Sequence, residues 1–369
     1  MNVKKISVGI IGASGFTGSE LCRLLLEHKY VAKIIPISRE RKNFNRSHPN
    51  LAYSNLKYST LNELPNKLKS LDCVFLCTKS EDSYNLAIKI LKKNIKIIDL
   101  SSAFRFENIT YFKKAYGQLQ KKNNILSKKK ITYGLSEFNR NKILSADLVA
   151  NPGCYAIAAI LSLIPILKKN IIHLNLPINI NAINGTTGAG NNPKIQVSHA
   201  NTTENMLTYN AEGHRHGPEI EEKLKAISKK NCLIDLNTSH GNFRRGIHMR
   251  ISLNVKSNLI KKINRDKIIK IYKDFYNKKN NNFQFIQILD TKRTLKKNEK
   301  DYDLYPSITN VIGTNNCLIG IDYDKSIGVI KIISTSDNLV KGAAGSAIQN
   351  MNIMFGFEED TALTKYGIF

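Results

Sequence analysis

Residues 8–26 read VGIIGASGFTGSELCRLLL, and this stretch decides how the chain begins to fold. Val8 to Ile11 is a short apolar run of the kind that forms a buried β-strand. Glu20 to Leu26 instead places leucines at positions 21, 24 and 25, the spacing of one helix face. Three glycines, at positions 12, 15 and 18, separate the two runs. The stretch therefore predicts a strand, a tight glycine turn and a helix.

Runs of the same two kinds continue to about residue 150. Short apolar runs occur at Ala32 to Ser38, Cys73 to Cys77 and Ile95 to Leu100, and helical spacing occurs at Tyr84 to Lys92. Alternating strands and helices are typical of a parallel sheet covered by helices on both faces. We predict an α/β fold whose first domain, residues 1–150, is a doubly wound parallel sheet of the Rossmann type.

The pattern changes after Asn151, where a Pro-Gly turn precedes the long apolar run Tyr155 to Leu167. Later strands alternate between apolar and polar residues, as in His248 to Val255, and such alternation is typical of mixed or antiparallel sheets. We predict a second, α+β domain over residues 151–335 with a mixed or antiparallel sheet. A C-terminal helix within about residues 336–369 is expected to pack back on the first domain.

A glycine turn between a strand and a helix favours a dinucleotide ligand. Glycine lets the backbone approach a pyrophosphate closely, and the helix amino terminus provides N–H groups and partial positive charge. At the end of the second strand, where an acidic residue would bind the ribose of NAD, an arginine instead suits the 2′-phosphate of NADP. The predicted NADP-binding residues are Gly12, Ser14, Gly15, Phe16, Thr17, Gly18, Ser38 and Arg39. The alternative is a tight turn that binds nothing.

Cys154 is the candidate nucleophile. It follows Asn151-Pro152-Gly153 and precedes a helix predicted to begin near Tyr155. The helix dipole and the free N–H groups at a helix start stabilise a thiolate, which lowers the pKa of a cysteine below its free value of about 8.5. The alternative is a small buried cysteine that only caps the helix.

Two further motifs concentrate polar or flexible residues. Residues 213–220 read GHRHGPEI and place two histidines and an arginine before a helix that starts with proline. This motif offers a general acid/base and a clamp for an anion, or else a surface turn that caps the helix. Residues 185–190 read GTTGAG, a second glycine-rich loop that either lines a substrate or nicotinamide pocket or is a flexible hairpin.

The net charge of +27 would by itself favour nucleic acid or another anionic partner. The lysines are, however, scattered through stretches rich in Asn and Ile, such as Lys261 to Asn282, which is typical of solvated faces. We therefore predict no nucleic-acid partner. The positive charge is still expected to attract phosphorylated anions.

The six cysteines are irregularly spaced in a chain that is 42% hydrophobic and long enough to fold without disulfides. We therefore predict a cytoplasmic protein. Cys73 and Cys77 lie in one apolar run without a second pair at zinc-site spacing, so no metal site is predicted. The apolar run Tyr155 to Leu167 is shorter than the roughly 18 residues needed to cross a bilayer, so no membrane segment is predicted either.

The motifs occur together and in one order: the glycine turn, Asn151-Pro152-Gly153-Cys154-Tyr155, the Gly185 to Gly190 loop, and the His-Arg-His motif. With them the chain resembles the N-acetyl-gamma-glutamyl-phosphate reductase family of arginine biosynthesis. The likeness runs nearly end to end and includes DLS at 99–101 and DNLVKGAAG at 337–345. It implies NADP as cofactor, a homodimer or homotetramer, and a second domain like the catalytic domain of glyceraldehyde-phosphate dehydrogenases.

The resemblance also implies roles for individual residues. Cys154 attacks the acyl phosphate to form a thioester, NADPH reduces the thioester to the semialdehyde, and either His214 or His216 moves the protons. The residues implied to bind the substrate are Arg105, Asn151, Arg215 and Glu219. Gly188 and Asn338 are implied to contact the cofactor.

The chain departs from the family pattern at a few positions, none of which is the nucleophile. Those positions are Ala103, Ser136, Ala156 with Ile157, and the pair Asn191 and Asn192. The competing enzyme family is aspartate-semialdehyde dehydrogenase, against which the His-Arg-His motif weighs. Outside enzymes, the competing classes are a nucleotide-binding regulator with a structural cysteine and a basic nucleic-acid protein.

Overall fold

The computed structural model describes the chain in six stretches. These are residues 4–40, 42–117, 124–191, 195–277, 283–293 and 300–367. The described residues divide into two compact units. The first contains residues up to 107 together with 124–153 and 342–364, and the second contains 108–117, the residues between 154 and 341, and 365–367.

The first unit is built on a parallel sheet. Its described strands are β1 (Ile6–Ile11), β2 (Val31–Ser38), β3 (Ser59–Thr60), β4 (Cys73–Leu76), β5 (Lys96–Asp99), β6 (Ile131–Tyr133) and β7 (Leu148–Ala150). They lie in the order β3-β2-β1-β4-β5-β7-β6, and every neighbouring pair is parallel. The strand order reverses between β1 and β4, so the doubly wound sheet predicted from the sequence is confirmed.

Helices surround this sheet. They are α1 (Phe16–Leu26), α2 (Phe44–Ser47), α3 (Leu64–Lys67), α4 (Ser80–Leu91), α6 (Asn124–Ser127), α7 (Ser136–Leu144) and α12 (Gly345–Phe355). Helix α1 buries Leu21, Leu24 and Leu25, the face that the leucine spacing predicts. Helix α12 contacts α7, α1 and β5. It ends where Gly356 adopts a left-handed φ of 70°, a conformation that glycine adopts without steric cost.

The second unit is built on a mixed sheet. Its described strands are β8 (Ile178–Asn184), β9 (Leu207–Tyr209), β10 (Ile234–His240), β11 (Ile247–Asn254), β12 (Ile286–Ile288), β13 (Cys317–Asp324) and β14 (Val329–Ser336). Their order is β12-β13-β14-β11-β8-β10-β9. The pairs β8–β10 and β12–β13 are parallel and the others antiparallel, which confirms the predicted mixed sheet.

The helices of this unit are α5 (Ile109–Tyr116), α8 (Cys154–Lys169), α9 (His199–Thr202), α10 (His216–Ser228) and α11 (Arg265–Phe275). Helix α8 is buried from Tyr155 to Leu167 although it contains Pro165. Proline cannot donate to the carbonyl four residues earlier, that of Leu161, and its ring disturbs this turn. The hydroxyl of Tyr276 donates to the Leu161 carbonyl, and that of Tyr272 donates to the neighbouring Ser162 carbonyl at 2.6 Å. The two tyrosines thus supply hydrogen-bond donors to carbonyl groups of α8 at the turn that proline disturbs.

Candidate active site

The glycine turn of the first unit follows the carboxyl end of β1. Gly12 has a φ of +89°, and a Cβ on it would lie 2.4 Å from the Cys77 carbonyl oxygen. A Cβ on Gly18 would lie 2.5 Å from the Gly12 carbonyl oxygen. The amides of Gly12 and Ala13 both donate to the Ile37 carbonyl on β2, at 2.9 and 3.2 Å. Glycine at 12 and 18 is therefore required by the packing of the turn itself.

Gly15 differs from the other two glycines. A Cβ there would meet only the Gly12 carbonyl oxygen, at an ordinary 3.6 Å, so the fold does not require glycine at this position. Gly15 is the N-cap of α1 and provides no side-chain cap, and the first N–H groups of a helix lack intrahelical partners. An uncapped helix start with no Cβ in the way fits a pyrophosphate. Exposed Phe16 follows at once.

Ser38 and Arg39 lie at the carboxyl end of β2, beside this turn. Ser38 is buried and donates to the Glu40 carbonyl. Arg39 is exposed, and its Nη2 donates to the carboxylate of Asp82 on α4 at 2.7 Å. The structure thus brings the predicted NADP-binding residues of the first unit together at the edge where β1 and β2 end.

Arg105 and Asn151, predicted to bind the substrate, are both buried in the first unit. Arg105 donates from Nε to the Asn151 carbonyl at 2.9 Å and from Nη2 to the Leu100 carbonyl at 3.0 Å. The Asn151 amide donates to the hydroxyl of Ser346 and accepts from Asn350, at 2.9 and 3.0 Å. These bonds hold the ends of β5 and β7 and the start of α12.

Cys154 is the first residue of α8, one residue earlier than the sequence predicts, and it is half-buried. This places its thiol on the first helical turn, where the dipole and the free N–H groups favour a thiolate. Burial raises the pKa of four other thiols well above the ordinary value, which keeps them protonated at neutral pH; these are Cys22, Cys73, Cys77 and Cys232. Among these five cysteines, Cys154 has the surroundings of a nucleophile.

Aromatic and imidazole rings surround the start of α8 in the second unit. Tyr155 lies 5.3 Å from His214 and 5.8 Å from His216 between ring centroids, and the two imidazoles lie 4.7 Å apart. The Tyr155 hydroxyl is hydrogen-bonded to that of Tyr209 at 2.8 Å. Burial raises the pKa of both phenols, and charge on Cys154, which directly precedes Tyr155 on α8, raises it further. Both predicted histidines therefore lie against the ring of Tyr155, the residue that follows the predicted nucleophile.

His214 is held in its neutral form. Burial, together with the charges of Arg215 and His240, lowers the pKa of His214 to about 4. Its Nδ1 accepts a hydrogen bond from the backbone N–H of His216 at 3.1 Å. A neutral imidazole that accepts at one nitrogen carries its proton on the other, so His214 presents an Nε2–H donor.

His216 lies near a buried carboxylate. It is the first residue of α10, and its Nε2 lies 4.0 Å from Oε2 of Glu219, which is fully buried. A carboxylate at this distance attracts the positive charge of a protonated imidazole. Arg215, between the two histidines, is exposed, and its charge acts on His214 and Tyr209.

The Gly185–Gly190 loop is ordered by neighbouring backbone and does not form a free hairpin. The amide of Thr187 donates to the Arg244 carbonyl at 3.0 Å, and a Cβ on Gly188 would lie 2.1 Å from Nδ2 of Asn184. Asn338 donates from Nδ2 to the Thr187 hydroxyl at 3.0 Å and accepts from the Gly246 amide at 2.7 Å. Gly188 and Asn338 are thus joined through this loop.

Three residues of the second unit complete the cluster without having been predicted. Asn184 is buried at the end of β8, and its side chain lowers the pKa of the Tyr155 phenol, which burial raises. Tyr209 on β9 stacks on His240 at the end of β10, with centroids 4.6 Å apart. His240 followed by Gly241 at a strand end was a visible signal, whereas Tyr209 had none because β9 is only three residues long.

Most of the described positions at which the chain departs from the family pattern are buried. Ala103, Ser136 and Ala156 are buried, and the Ser136 hydroxyl donates to Glu137 at 3.1 Å. Asn191 is exposed, and Asn192 lies outside the described residues. Ala103, Ser136 and Ala156 are not among the rings that surround Tyr155.

Comparisons with known proteins decide the family. A family model described as the NAD binding domain of semialdehyde dehydrogenases matches residues 7–146, and one described as their dimerisation domain matches residues 154–338. A protein named N-acetyl-gamma-glutamyl-phosphate reductase from Vesicomyosocius okutanii is 38% identical over 98% of this chain and 99% of the relative. One of the same name from Methanocaldococcus jannaschii is 36% identical, covering 98% of each. The chain belongs to the N-acetyl-gamma-glutamyl-phosphate reductase family.

Membership of this family confirms the resemblance drawn from the motifs. Solved structures extend the comparison to the fold alone. The aspartate semialdehyde dehydrogenase II of Vibrio cholerae aligns with a TM-score of 0.67 at 15% identity, covering 95% of this chain and 98% of that one. An aspartate semialdehyde dehydrogenase of Candida albicans, solved with NADP, aligns with a TM-score of 0.62 at 14% identity. This chain therefore shares its architecture with the aspartate semialdehyde dehydrogenases.

Membrane spans and metal clusters are both absent from the part of the chain that the structure describes. Every helix within it is too short or too polar to traverse a membrane. Nor do three or more His, Cys, Asp or Glu side chains within the described ranges converge on a point where a metal ion could bind.

Proposed function

We propose that the chain is an NADPH-dependent reductase that converts N-acetyl-gamma-glutamyl phosphate to the corresponding semialdehyde and phosphate through a thioester on Cys154. The relatives that cover 98–99% of the chain carry this activity in their names. The observation that supports the mechanism is the position of Cys154 on the first turn of α8, beside a cluster that contains both histidines.

The glycine turn would hold the cofactor. The uncapped start of α1 with Gly15 as N-cap suits its pyrophosphate, and Arg39 suits the 2′-phosphate. Gly188 and Asn338 are proposed to contribute through the loop that they brace. Bound NADPH supplies the hydride that reduces the thioester.

Cys154 takes part in the first and the last step of the proposed reaction. Its thiolate attacks the γ-carbonyl carbon, so that a C–S bond forms, the C–O bond to phosphate breaks and phosphate leaves. Reduction of the thioester carbonyl gives a tetrahedral oxyanion that is still bound to sulfur. This oxyanion collapses to the aldehyde as the C–S bond breaks and the thiolate is released. Backbone N–H groups of the first turn of α8 favour both the thiolate and the oxyanion.

His216 is the proposed proton carrier. The Cys154 thiol must lose a proton before it attacks, and Glu219 attracts the positive charge that His216 gains when it takes that proton. His214 is a weak base because its pKa is about 4. Its Nε2–H is proposed to donate a hydrogen bond to the substrate or to the oxyanion.

Arg215 is the proposed anion-binding group of the second unit. It is exposed at the N-cap of α10, and its charge acts on both His214 and Tyr209. A guanidinium there suits a phosphate or a carboxylate of the substrate. For the buried Arg105 and Asn151 we propose a supporting role, since their hydrogen bonds hold the strand ends.

The function is tested by offering the purified protein N-acetylglutamate semialdehyde and aspartate semialdehyde in parallel, each with NADP and phosphate. We expect NADPH formation with the acetylated substrate and a specificity constant at least about 10³-fold lower with aspartate semialdehyde, because a site built for the longer acetylated chain leaves polar groups unpaired with the shorter one. Preference for aspartate semialdehyde would reject the reductase assignment. Activity with neither would favour a nucleotide-binding regulator.

Arg39→Ala is expected to lower the preference for NADPH over NADH by about 10- to 100-fold, the worth of a charge-assisted hydrogen bond. The measurement is the ratio of kcat/KM for the two cofactors. Asp82→Asn is the matched control, because it removes the partner of Arg39 without removing the guanidinium and should preserve the preference. An unchanged ratio in Arg39→Ala would refute the role of Arg39 at the 2′-phosphate.

We also infer that the chain forms homo-oligomers and works in the cytoplasm. Support for self-association comes from the match of residues 154–338 to a model described as a dimerisation domain. The cytoplasmic assignment is supported by irregularly spaced cysteines that are all free, four of them with thiols kept protonated by burial. A monomer mass by light scattering would contradict the first inference.

A further inference from the structure

His48 is a buried histidine of the first unit that the chemistry above does not use. It follows the short helix α2 and is only 8% exposed. Its Nε2 is hydrogen-bonded to the Tyr58 hydroxyl at 2.7 Å, and burial lowers the pKa of the imidazole while the neighbouring backbone of Ala13 raises it. Phe44 packs against both rings, with centroid distances of 5.0 Å to each. One side chain thus joins the segment after β2 to the glycine turn.

Tyr58 is fixed beside the residues that end β2. It immediately precedes β3, in which Ser59 pairs with Ile37 and Thr60 with Ser38. The Ile37 carbonyl in turn accepts from the amides of Gly12 and Ala13. The contacts therefore close a ring that runs from Ala13 through His48, Tyr58 and the β3–β2 pairing back to Ala13.

The segment between β2 and β3 has little regular structure in its described residues. Apart from α2, which has four residues, it contains a 3₁₀ helix at Pro49–Ser54. Short helices are marginal without tertiary contacts. Its described buried side chains include Phe44, His48 and Tyr58, so the ring cluster supplies much of the packing that fixes this segment.

We propose that His48 and Tyr58 are positioning residues for NADPH, forming a latch that ties the segment after Ser38 and Arg39 to the glycine turn. The proposal rests on the proposed function, because it assumes that the turn binds the pyrophosphate and that Arg39 binds the 2′-phosphate. A ligand that touches both places binds more tightly when they are already held in register, since less order must be gained on binding. Neither residue is proposed to touch the reacting atoms.

His48→Phe and Tyr58→Phe test the proposal. Each keeps an aromatic ring and removes the Nε2 to hydroxyl hydrogen bond, and His48→Phe also removes the polar imidazole next to the Ala13 backbone. The dissociation constant of NADPH, measured by titration calorimetry, is expected to rise about tenfold in His48→Phe and about threefold in Tyr58→Phe, since single hydrogen bonds contribute modestly. His48→Gln, which keeps a hydrogen-bonding side chain, is expected to recover part of the loss. kcat at saturating NADPH should stay within about twofold of wild type, because the latch does not reach the chemistry.

His28→Phe is the matched control. His28 is 3% exposed, bonds Asn352 through Nε2 at 2.8 Å and packs against Tyr30 and Phe357, but it lies between α1 and β2, at the amino end of β2. The His28→Phe substitution should lower the melting temperature without changing the NADPH dissociation constant. If His28→Phe weakens NADPH as much as His48→Phe, the effect is general destabilisation and the proposal fails.

Fragments of the cofactor sharpen the result. Adenosine 2′,5′-bisphosphate, which carries the phosphates at both ends of the latch, should lose affinity in His48→Phe as NADPH does, while nicotinamide mononucleotide should not. Equal affinity of wild type and His48→Phe for adenosine 2′,5′-bisphosphate would overturn the latch. Failure of the wild-type protein to bind NADPH would instead overturn the proposed function, so the two failures are distinguishable.

Discussion

Replacing Cys154 with serine is expected to lower kcat for the phosphate-dependent oxidation of N-acetylglutamate semialdehyde by at least about 10³-fold. A serine hydroxyl at the start of α8 is not ionised at neutral pH, so it lacks the thiolate that the first helical turn stabilises. Removal of a covalent nucleophile commonly costs about 10⁶-fold in kcat, because the intermediate no longer forms. The measurement is NADPH absorbance under steady-state conditions, together with calorimetric titration of NADPH.

The NADPH dissociation constant should not change in Cys154→Ser, because the residues proposed to bind the cofactor phosphates lie at the start of α1 and directly after β2. Cys232→Ser is the matched control in the same unit. Burial raises the pKa of the Cys232 thiol to about 12, so it is protonated at neutral pH, and its loss should leave kcat nearly unchanged. Turnover by Cys154→Ser within about tenfold of wild type would reject the thioester mechanism.

The local parts of the fold were predictable from the sequence because they depend on neighbouring residues. The strand, glycine turn and helix of residues 6–26 follow from the two hydrophobic periods and from glycines at fixed offsets. The packing explains two of those glycines, since a Cβ on Gly12 or Gly18 would meet backbone at 2.5 Å or less. Gly15 has no such reason, which is why the ligand explains it better than the fold does.

The cluster around Tyr155 depends on contacts between residues far apart in sequence. Tyr209 reaches it because β9 pairs with β10 so that Thr238 faces Tyr209, and the Thr238 hydroxyl donates to the Tyr209 carbonyl at 2.8 Å. Asn184 reaches it because β8 lies beside β10. Strand register between distant segments is set by tertiary packing, so no local sequence pattern predicts that Tyr209 and Asn184 lie in this cluster.

The roles of the two histidines also depended on the structure. In the sequence His214 and His216 are two positions apart and equivalent as candidates. The fold places the Glu219 carboxylate 4.0 Å from Nε2 of His216, whereas burial, together with Arg215 and His240, lowers the pKa of His214. The two imidazoles therefore differ in burial and in their distances to charged groups. Both properties depend on how the helix and the sheet pack together.

His216→Gln is expected to lower kcat/KM by about 10²- to 10⁴-fold, the usual worth of a general acid/base. Glutamine can place a neutral polar amide near the position of Nε2, but it cannot take a proton. The loss should therefore appear in turnover with little change in stability. His214→Asn is the matched variant, because its side-chain oxygen can still accept from the His216 amide as Nδ1 does at 3.1 Å. We expect it to cost less than His216→Gln.

The pH profile of kcat/KM separates the two histidines. With a pKa of about 4, His214 is neutral at every pH above about 5, so its titration cannot produce a fall in activity between pH 5 and 8. If the free enzyme loses activity as the pH falls through that window, His214→Asn should keep this acidic limb and His216→Gln should abolish it. We expect kcat/KM to fall toward low pH because His216 must be unprotonated to accept the Cys154 proton. A lower pH protonates His216 before it can act as the base. An acidic limb that vanishes in His214→Asn and persists in His216→Gln would reverse the assignment and make the neutral, buried imidazole the base.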